Sequence, residues 1–257
     1  MKIKSLGFIG GGRITRIFLQ AFANKKADFQ SIIVFDTNAE VLKALKQQFP
    51  KIKAAENLRQ AASQPTVFIA LHPPMIMETL DKISDTVSKD AFVISLAPKI
   101  NIEKIASKLI SSNIARMIPN ATSYINEGYN PVNFAAGFDQ NEKSAVLDML
   151  KLLGNTLEVA ESKLEAYALL SAMLPTYFWF QWNELNKLGI QMGLSEEESR
   201  ASVQKTLMAA INLMFESELT IEQVIDLIPV KPIGEHQAQI TEIYQTKLMG
   251  LFEKIKP

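Results

Sequence analysis

The sequence predicts an α/β domain followed by an all-helical domain. Up to about residue 160, short apolar runs alternate with amphipathic stretches, which is typical of a doubly wound, mostly parallel sheet. Three consecutive glycines separate the first apolar run from the first amphipathic stretch, and after about residue 162 the two-residue alternation of strands disappears. We therefore expect an α/β domain over residues 1–160 and a helical domain over residues 161–257.

Composition excludes several classes of protein. Lys+Arg and Asp+Glu both total 27, and this balance argues against a nucleic-acid-binding surface. The chain has no cysteine and only two histidines, His72 and His236, so we expect no disulfide, no thiolate nucleophile and no metal site. The most apolar window, residues 166–180, is shorter than the roughly 20 residues that span a bilayer, which predicts a cytoplasmic protein without a membrane segment.

The three glycines, Gly10, Gly11 and Gly12, lie at a predicted strand-to-helix turn. Residues 3–9 form a continuous apolar run, and the residues after the turn repeat with helical spacing at Ile14, Ile17, Phe18, Ala21 and Phe22. Gly10 lets the chain turn tightly, and Gly12 lets the backbone approach a pyrophosphate, while the first helical N–H groups face the phosphates. This context predicts a Rossmann-type dinucleotide-binding domain; the alternative is an ordinary glycine-rich turn.

The third glycine of such a fingerprint is replaced by Thr15. That glycine normally allows the helix to pack closely on the strand. A β-branched residue there predicts a slightly wider separation or a shifted contact.

An acidic residue follows the second predicted strand. Asp36 ends the apolar run of residues 31–36, where its carboxylate can accept hydrogen bonds from the hydroxyls of the adenine ribose. A carboxylate there also repels a 2′-phosphate, so we expect NAD to be favoured over NADP. The alternative is that Asp36 starts a turn and caps the helix of residues 38–49, which Asn38 could equally cap.

Three later strand exits carry prolines, in the sequences LHPP, LAPK and MIPN. Ligands of doubly wound sheets bind beyond the carboxyl ends of the strands, so these stiff loops are expected around one crevice; plain turn punctuation is the alternative. We predict that Asn120 makes a polar contact near the nicotinamide or substrate. His72 is expected to lie next to the nicotinamide crevice; the alternative is that it packs in the interior or faces solvent. The predicted cofactor contacts are Gly10, Gly11, Gly12, Arg13, Ile14, Asp36, His72, Pro73 and Ala97.

Several segments, in this order, resemble the pyrroline-5-carboxylate reductase family over nearly the whole chain. They are GFIGGG, ALHPPMIMETL, RMIPNATSYINEG and GIQMGLSEEES. The resemblance implies a two-domain protein that dimerises through its helical domain and transfers a hydride from NAD(P)H to a cyclic imine in proline biosynthesis. The third segment keeps the strongest family signature at Arg116, Pro119, Asn120, Glu127 and Gly128.

The departures from the family concentrate in the substrate region. The family sequence Ser-Gly-Ser-Gly-Pro-Ala-Tyr is SAMLPTY here, and the loop Ser-Pro-Gly-Gly-Thr-Thr, which receives the substrate carboxylate, is KPIGEH. Lys231 is therefore a candidate anion-binding group and His236 a candidate proton donor beside Glu235. The alternative is structural: Glu235 suits a helix N-terminus and Lys231 a solvated loop.

Two functions follow from these observations. The first is an NAD(P)H-dependent oxidoreductase that transfers a hydride to the C=N or C=O bond of a small anionic substrate. The second is a dinucleotide-binding protein of the same fold with little or no turnover. The aromatic stripe of Tyr177, Phe178, Phe180 and Trp182 is interpreted as part of a homodimer interface in the helical domain; the alternative is an aromatic substrate pocket.

Overall fold

The structure is a computed structural model that describes residues 5–257. Eight strands form one sheet in the order β3-β2-β1-β4-β5-β6-β7-β8. The first six strands run parallel to one another, whereas β7 pairs antiparallel with β6 and parallel with β8. The strands are β1 (Ser5–Ile9), β2 (Ser31–Phe35), β3 (Lys53–Ala54), β4 (Thr66–Ile69), β5 (Phe92–Ser95), β6 (Ile114–Met117), β7 (Gly128–Phe134) and β8 (Gly154–Glu158).

Helices connect the strands and then form the rest of the chain. Those of the α/β region are α1 (Arg13–Asn24), α2 (Ala39–Gln48), α3 (Leu58–Ala62), α4 (Pro73–Ile83), α5 (Ile102–Ala106), α6 (Gln140–Leu150) and α7 (Leu164–Tyr167). A single π-helical turn (Ala168–Ala172) follows α7. The remaining helices are α8 (Leu174–Gln191), α9 (Glu196–Glu216), α10 (Ile221–Asp226) and α11 (Gln237–Ile255).

The sheet has a buried apolar layer on each face. On one face, the rings of Phe8 and Phe68 stack with centroids 4.7 Å apart, and Phe18 of α1 meets Phe68 edge-to-face. On the other face, Ile76 and Leu80 of α4 are completely buried with residues of the central strands. Burial on both faces explains why these strands are continuous apolar runs.

The chain divides into two compact units. The first ends at Ala172 and also includes Phe252–Pro257, and the second is Met173–Leu251. The boundary predicted after residue 160 precedes α7, whereas this division follows the π-helical turn. Among residues 5–257, no helix has both the length and the apolar character required to cross a bilayer.

The predicted α/β architecture is confirmed, with local corrections. The sequence patterns missed the two-residue strand β3 and the short helix α3, and they placed a strand within residues 133–137, whereas β7 is Gly128–Phe134. That strand contains glycine, proline and two asparagines, which are depleted in strands, so tertiary hydrogen bonds override its propensity. Residues 3 and 4 of the predicted first strand lie outside the described residues.

One helix cap confirms a sequence prediction, and a second decides between two alternatives. Ser195 and Glu198 form the predicted capping box of α9, with the Glu198 N–H donating to Ser195 Oγ at 3.2 Å and the Ser195 N–H donating to Glu198 Oε2 at 2.8 Å. The sequence left open whether Asp36 or Asn38 caps α2. Asn38 is the cap, because its Oδ1 accepts from the Glu40 N–H at 3.0 Å.

Candidate dinucleotide site

The turn between β1 and α1 requires glycine at position 10 and has open space beside Gly12. Gly10 has φ +102°, and a side chain there would collide with the carbonyl oxygen of Ala70. An added Cβ on Gly12 would meet no atom within 4 Å, and Gly12 is exposed at the N-terminus of α1. The turn therefore combines a tight bend with open space in front of the first helical N–H groups.

Thr15, in place of the third glycine, is completely buried. Its hydroxyl donates to the carbonyl oxygen of Gly10 at 2.6 Å. The polar group introduced by threonine is thus hydrogen-bonded to the glycine turn itself, which makes the substitution compatible with a packed helix.

Asp36 connects the glycine turn with the end of β2. Its Oδ2 accepts from the Gly11 N–H at 2.7 Å, and its Oδ1 accepts from the Asn38 N–H at 2.8 Å. Each carboxylate oxygen can accept a second hydrogen bond, so a ribose hydroxyl is still a possible donor. The same carboxylate fixes the backbone of the turn, a role that the sequence pattern did not predict.

The first turn of α1 presents an electropositive surface. It contains no acidic residue, and its N-cap residue is Gly12, so no N-cap side chain accepts hydrogen bonds from the first helical N–H groups. No hydrogen-bond or ion-pair partner occurs for the guanidinium of Arg13 or Arg16 among residues 5–257. A cavity of about 410 Å³ lies here, lined by Gly11, Gly12, Arg13, Arg16, Val41, Ala44, Leu45, Gln48 and His72. These groups suit an anionic ligand with a partly apolar body.

The other predicted cofactor residues occupy three settings. His72 is exposed and is the N-cap of α4, without a side-chain cap hydrogen bond, and Pro73 is the first residue of that helix. Ile14 packs against the apolar core, and Ala97 is buried in the loop after β5. The structure thus brings His72 to the same cavity as the glycine turn.

Asn120 is 4% exposed, and both ends of its amide bind protein groups. Its Nδ2 donates to Ser171 O at 3.1 Å and lies 3.3 Å from Ser171 Oγ, and its Oδ1 accepts from the N–H and hydroxyl of Thr122. The Thr122 hydroxyl lies 2.8 Å from both Asn120 Oδ1 and Glu127 O and can donate its single proton to only one of them. This geometry favours a positioning role over the contact with nicotinamide or substrate that the sequence predicted.

The predicted substrate residues lie in the second unit. Lys231 lines a cavity of about 490 Å³ whose other lining residues include Val224, Ile225, Ile228 and Tyr244. The side chains of Glu235 and His236 are exposed and face each other, with 3.5 Å between Glu235 Oε1 and His236 Nε2. Lys231 therefore lines an apolar cavity, whereas Glu235 and His236 form an exposed pair that does not line it.

Sequence reasoning missed the acidic partners of Arg116. This arginine is completely buried in β6, and its guanidinium donates to Glu161 at 2.8 Å and Glu165 at 2.6 Å. A charged residue inside the strand sequence IARM is itself a signal, because a buried arginine requires a carboxylate partner. No group of three or more potential metal ligands occurs among residues 5–257.

Comparisons with known proteins agree with this geometry. A model of the family described as NADP oxidoreductase coenzyme F420-dependent matches residues 5–99, which include the glycine turn and Asp36. A pyrroline-5-carboxylate reductase from Corynebacterium melassecola is 25% identical over 259 residues, covering 96% of this chain and 93% of that protein. The chain resembles the pyrroline-5-carboxylate reductases.

Solved structures of pyrroline-5-carboxylate reductases have the same fold. The enzyme from Coxiella burnetii superimposes with a TM-score of 0.71 at 24% identity, covering 99% of this chain and 95% of that chain. The Plasmodium falciparum pyrroline carboxylate reductase with NADP bound gives a TM-score of 0.76 at 20% identity, with the same coverage of both chains. These matches extend over both units of the chain and establish its fold.

The residues assigned to a family signature from the sequence have internal roles in this structure. Arg116 and Asn120 bind the segment of residues 161–172 from two points of the chain around β6. A side chain on Gly128 would collide with Ser123 Oγ, so the close approach there requires glycine. The retained residues thus stabilise the framework around the strand exits.

Proposed function

We propose that this protein is an NAD(P)H-dependent reductase that transfers a hydride to the C=N or C=O bond of a small anionic substrate. The observation that carries the proposal is the open turn at Gly12, with an uncapped helix N-terminus and two arginines that have no partner among residues 5–257 around one cavity. Similarity to pyrroline-5-carboxylate reductases along 96% of the chain supports the same conclusion. We place this activity in the cytoplasm.

The residues present fit a dinucleotide. The N–H groups of Arg13 and Ile14 are expected to donate to the pyrophosphate, Arg13 and Arg16 to neutralise its charge, and Asp36 to accept from the adenine ribose. His72, Pro73 and Ala97, at the exits of β4 and β5, are expected beside the nicotinamide half. When bound, the reduced nicotinamide supplies the hydride, and the protein supplies binding and orientation.

NADH is expected to bind more tightly than NADPH, by about tenfold or about 1.4 kcal/mol. Two backbone N–H groups hold the Asp36 carboxylate at the end of β2, where it repels a 2′-phosphate, and the next residue, Thr37, offers no compensating cation. Fluorescence titration of both nucleotides measures the ratio, and Asp36→Asn should reduce it. A tenfold preference for NADPH would contradict this assignment and would direct attention to Arg13, Arg16, Lys43 and Lys46.

The protein is expected to reduce pyrroline-5-carboxylate poorly because of its altered substrate loop. We expect a rate about 100-fold or more below that of a well-oriented substrate. Ile233 replaces a family glycine that lets the backbone approach the substrate, and Glu235 places a negative charge near a negative substrate. The assay follows NADH and NADPH oxidation with this imine and tests rescue of a proline-requiring strain. Robust turnover together with rescue would overturn the expectation.

Lys231, Glu235 and His236 can be tested with whichever cyclic imine, keto acid or imino acid the protein reduces. Lys231→Ala should raise KM because the ammonium beside the apolar cavity is the anion-binding group, and His236→Ala should lower kcat if the imidazole donates the proton. Lys205→Ala, an exposed lysine of the same unit, is the control. Since the amide of Asn120 is already occupied, absence of any effect would direct the search for the proton donor to His72.

We also propose that the protein is a homodimer formed through its helical unit. No apolar side chain from Met173 to Leu251 is buried within the single chain, although this unit contains four helices with many apolar residues. In the aromatic stripe of the sequence analysis, Phe180 is 68% exposed, whereas Tyr177, Phe178 and Trp182 are half-buried. Burial raises the pKa of the Tyr177 phenol above its usual range, and the nearby Tyr244 adds to this.

The alternative is a dinucleotide-binding protein with little turnover. The glycine turn supports both proposals. The alternative is suggested by the segments SAMLPTY and KPIGEH, where the family's small and hydroxyl residues are replaced. Tight binding of reduced cofactor without oxidation by any imine or keto acid would favour this alternative.

A further inference from the structure

A buried ion cluster joins β6 to the segment that leads into the helical unit. The Arg116 side chain is 1% exposed and donates to Glu161 Oε1 at 2.8 Å and to Glu165 Oε1 at 2.6 Å. The Glu165 side chain is 3% exposed and that of Glu161 is 31% exposed. The guanidinium is thus neutralised by two carboxylates that lie on the same short segment.

The same two carboxylates also bind the loop that follows β5. The Ile102 N–H donates to Glu161 Oε1 at 2.7 Å, and the Lys99 N–H makes a longer contact of 3.4 Å with Glu165 Oε1. Lys99 has φ +76°, a left-handed conformation that is unfavourable for residues other than glycine. External contacts therefore stabilise this loop in a shape that it does not prefer.

The loop of residues 97–102 begins at the ligand-binding edge of the sheet. Strands β1, β4 and β5 are parallel neighbours, so the glycine turn after β1 and the loop after β5 leave the same edge. Asp36, after β2, lies on the adenosine side of such a sheet, and the exits of β4 and β5 lie on the nicotinamide side. The position of this loop thus bears on how the reacting half of the cofactor is held.

A second contact attaches the segment of residues 161–172, which carries Glu161 and Glu165, to the sheet. Asn120, just beyond β6, donates to the carbonyl oxygen of Ser171, and Ser171 Oγ donates to Tyr129 O at 2.8 Å. Residues 161–172 are therefore attached to the sheet at both ends, by Arg116 and by Asn120. An attached segment can hold a loop in place, whereas a free one cannot.

We propose that Arg116, Glu161 and Glu165 are positioning residues that hold the loop of residues 97–102 against the nicotinamide half of the dinucleotide. This inference rests on the proposed function. The carboxylates act through the loop backbone and have no chemical role of their own. Disrupting them should alter cofactor affinity and the environment of the nicotinamide without removing the glycine turn.

The test uses Glu161→Ala, because Glu161 is partly exposed and its loss is more easily tolerated than that of Glu165. Amide hydrogen exchange in residues 97–102 should become about tenfold faster. Affinity for NADH should fall by about tenfold, and the emission enhancement of the bound reduced nicotinamide should decrease. Glu161→Gln keeps an acceptor for the Ile102 N–H and should restore both properties.

Glu158→Ala is the matched control. It also removes a carboxylate from an ion pair, with Lys143 at 2.6 Å, but on β8 and away from the loop. The control should leave exchange at residues 97–102 and NADH affinity unchanged at a similar melting temperature. Glu165→Gln, which keeps the side-chain shape, provides a second variant should Glu161→Ala fail to fold.

Unchanged exchange in residues 97–102 of Glu161→Ala would overturn the proposal, as would faster exchange with unchanged nucleotide affinity and emission. A uniform rise in exchange across the first unit would indicate a purely structural role and would overturn it too. If the native protein binds neither nucleotide, the proposed function fails. The exchange result then still decides whether these carboxylates hold the loop.

Discussion

Gly12→Val should strongly weaken dinucleotide binding while leaving the fold intact. An added Cβ at Gly12 meets no atom within 4 Å, so valine is expected to extend into the open space in front of α1. That space is where the pyrophosphate is expected to approach the backbone, and a branched side chain would prevent the approach. We expect affinity to fall by about 100-fold or more, about 2.7 kcal/mol, with little change in melting temperature.

Gly10→Ala provides the contrasting control for this experiment. Its Cβ would collide with the Ala70 carbonyl oxygen, and φ +102° is unfavourable for alanine, so this variant should lose stability. Calorimetric titration with NADH and NADPH and thermal unfolding, applied to both variants, separate loss of ligand from loss of fold. Normal nucleotide affinity in a folded Gly12→Val protein would show that the site lies elsewhere.

Ile211→Asp should dissociate the dimer and destabilise the helical unit. Ile211 is at the centre of an apolar stripe on α9 that repeats with helical spacing, and its side chain is 49% exposed in the single chain. The stripe consists of Val203, Leu207, Met208, Ile211, Met214 and Phe215. A charge buried at the centre of an interface should cost about 2–4 kcal/mol of association free energy.

Sedimentation should give the native protein twice its chain mass of 28.7 kDa and shift Ile211→Asp towards the monomer. Circular dichroism should show a parallel loss of helix, because the helical unit buries no apolar side chain on its own. Ala209→Asp adds the same charge two residues earlier, on the opposite face of α9, and should remain a dimer. A stable, fully helical native monomer at micromolar concentration would contradict the proposed dimer.

Local sequence patterns predicted those parts of the site that depend on neighbouring residues. The glycine turn, the helix after it and the capping box at Ser195 each depend on a few consecutive positions, so their signals are visible in one sequence. The loss of the two-residue alternation after about residue 162 predicted that a helical region follows the α/β region. Strand β7 was misplaced because its glycine, proline and asparagines are stabilised by partners distant in sequence.

The sequence by itself determined that the chain has an α/β region with a strand–glycine–helix turn, followed by helices rich in apolar residues. Only the tertiary structure decided what individual polar side chains do. It showed that the Asn120 amide is occupied by Ser171 and Thr122, that Asp36 binds the Gly11 N–H, and that Arg116 lies between Glu161 and Glu165. The physical reason is that a turn or helix follows from local backbone preferences, whereas a buried polar group takes its role from partners that only folding brings within hydrogen-bond distance.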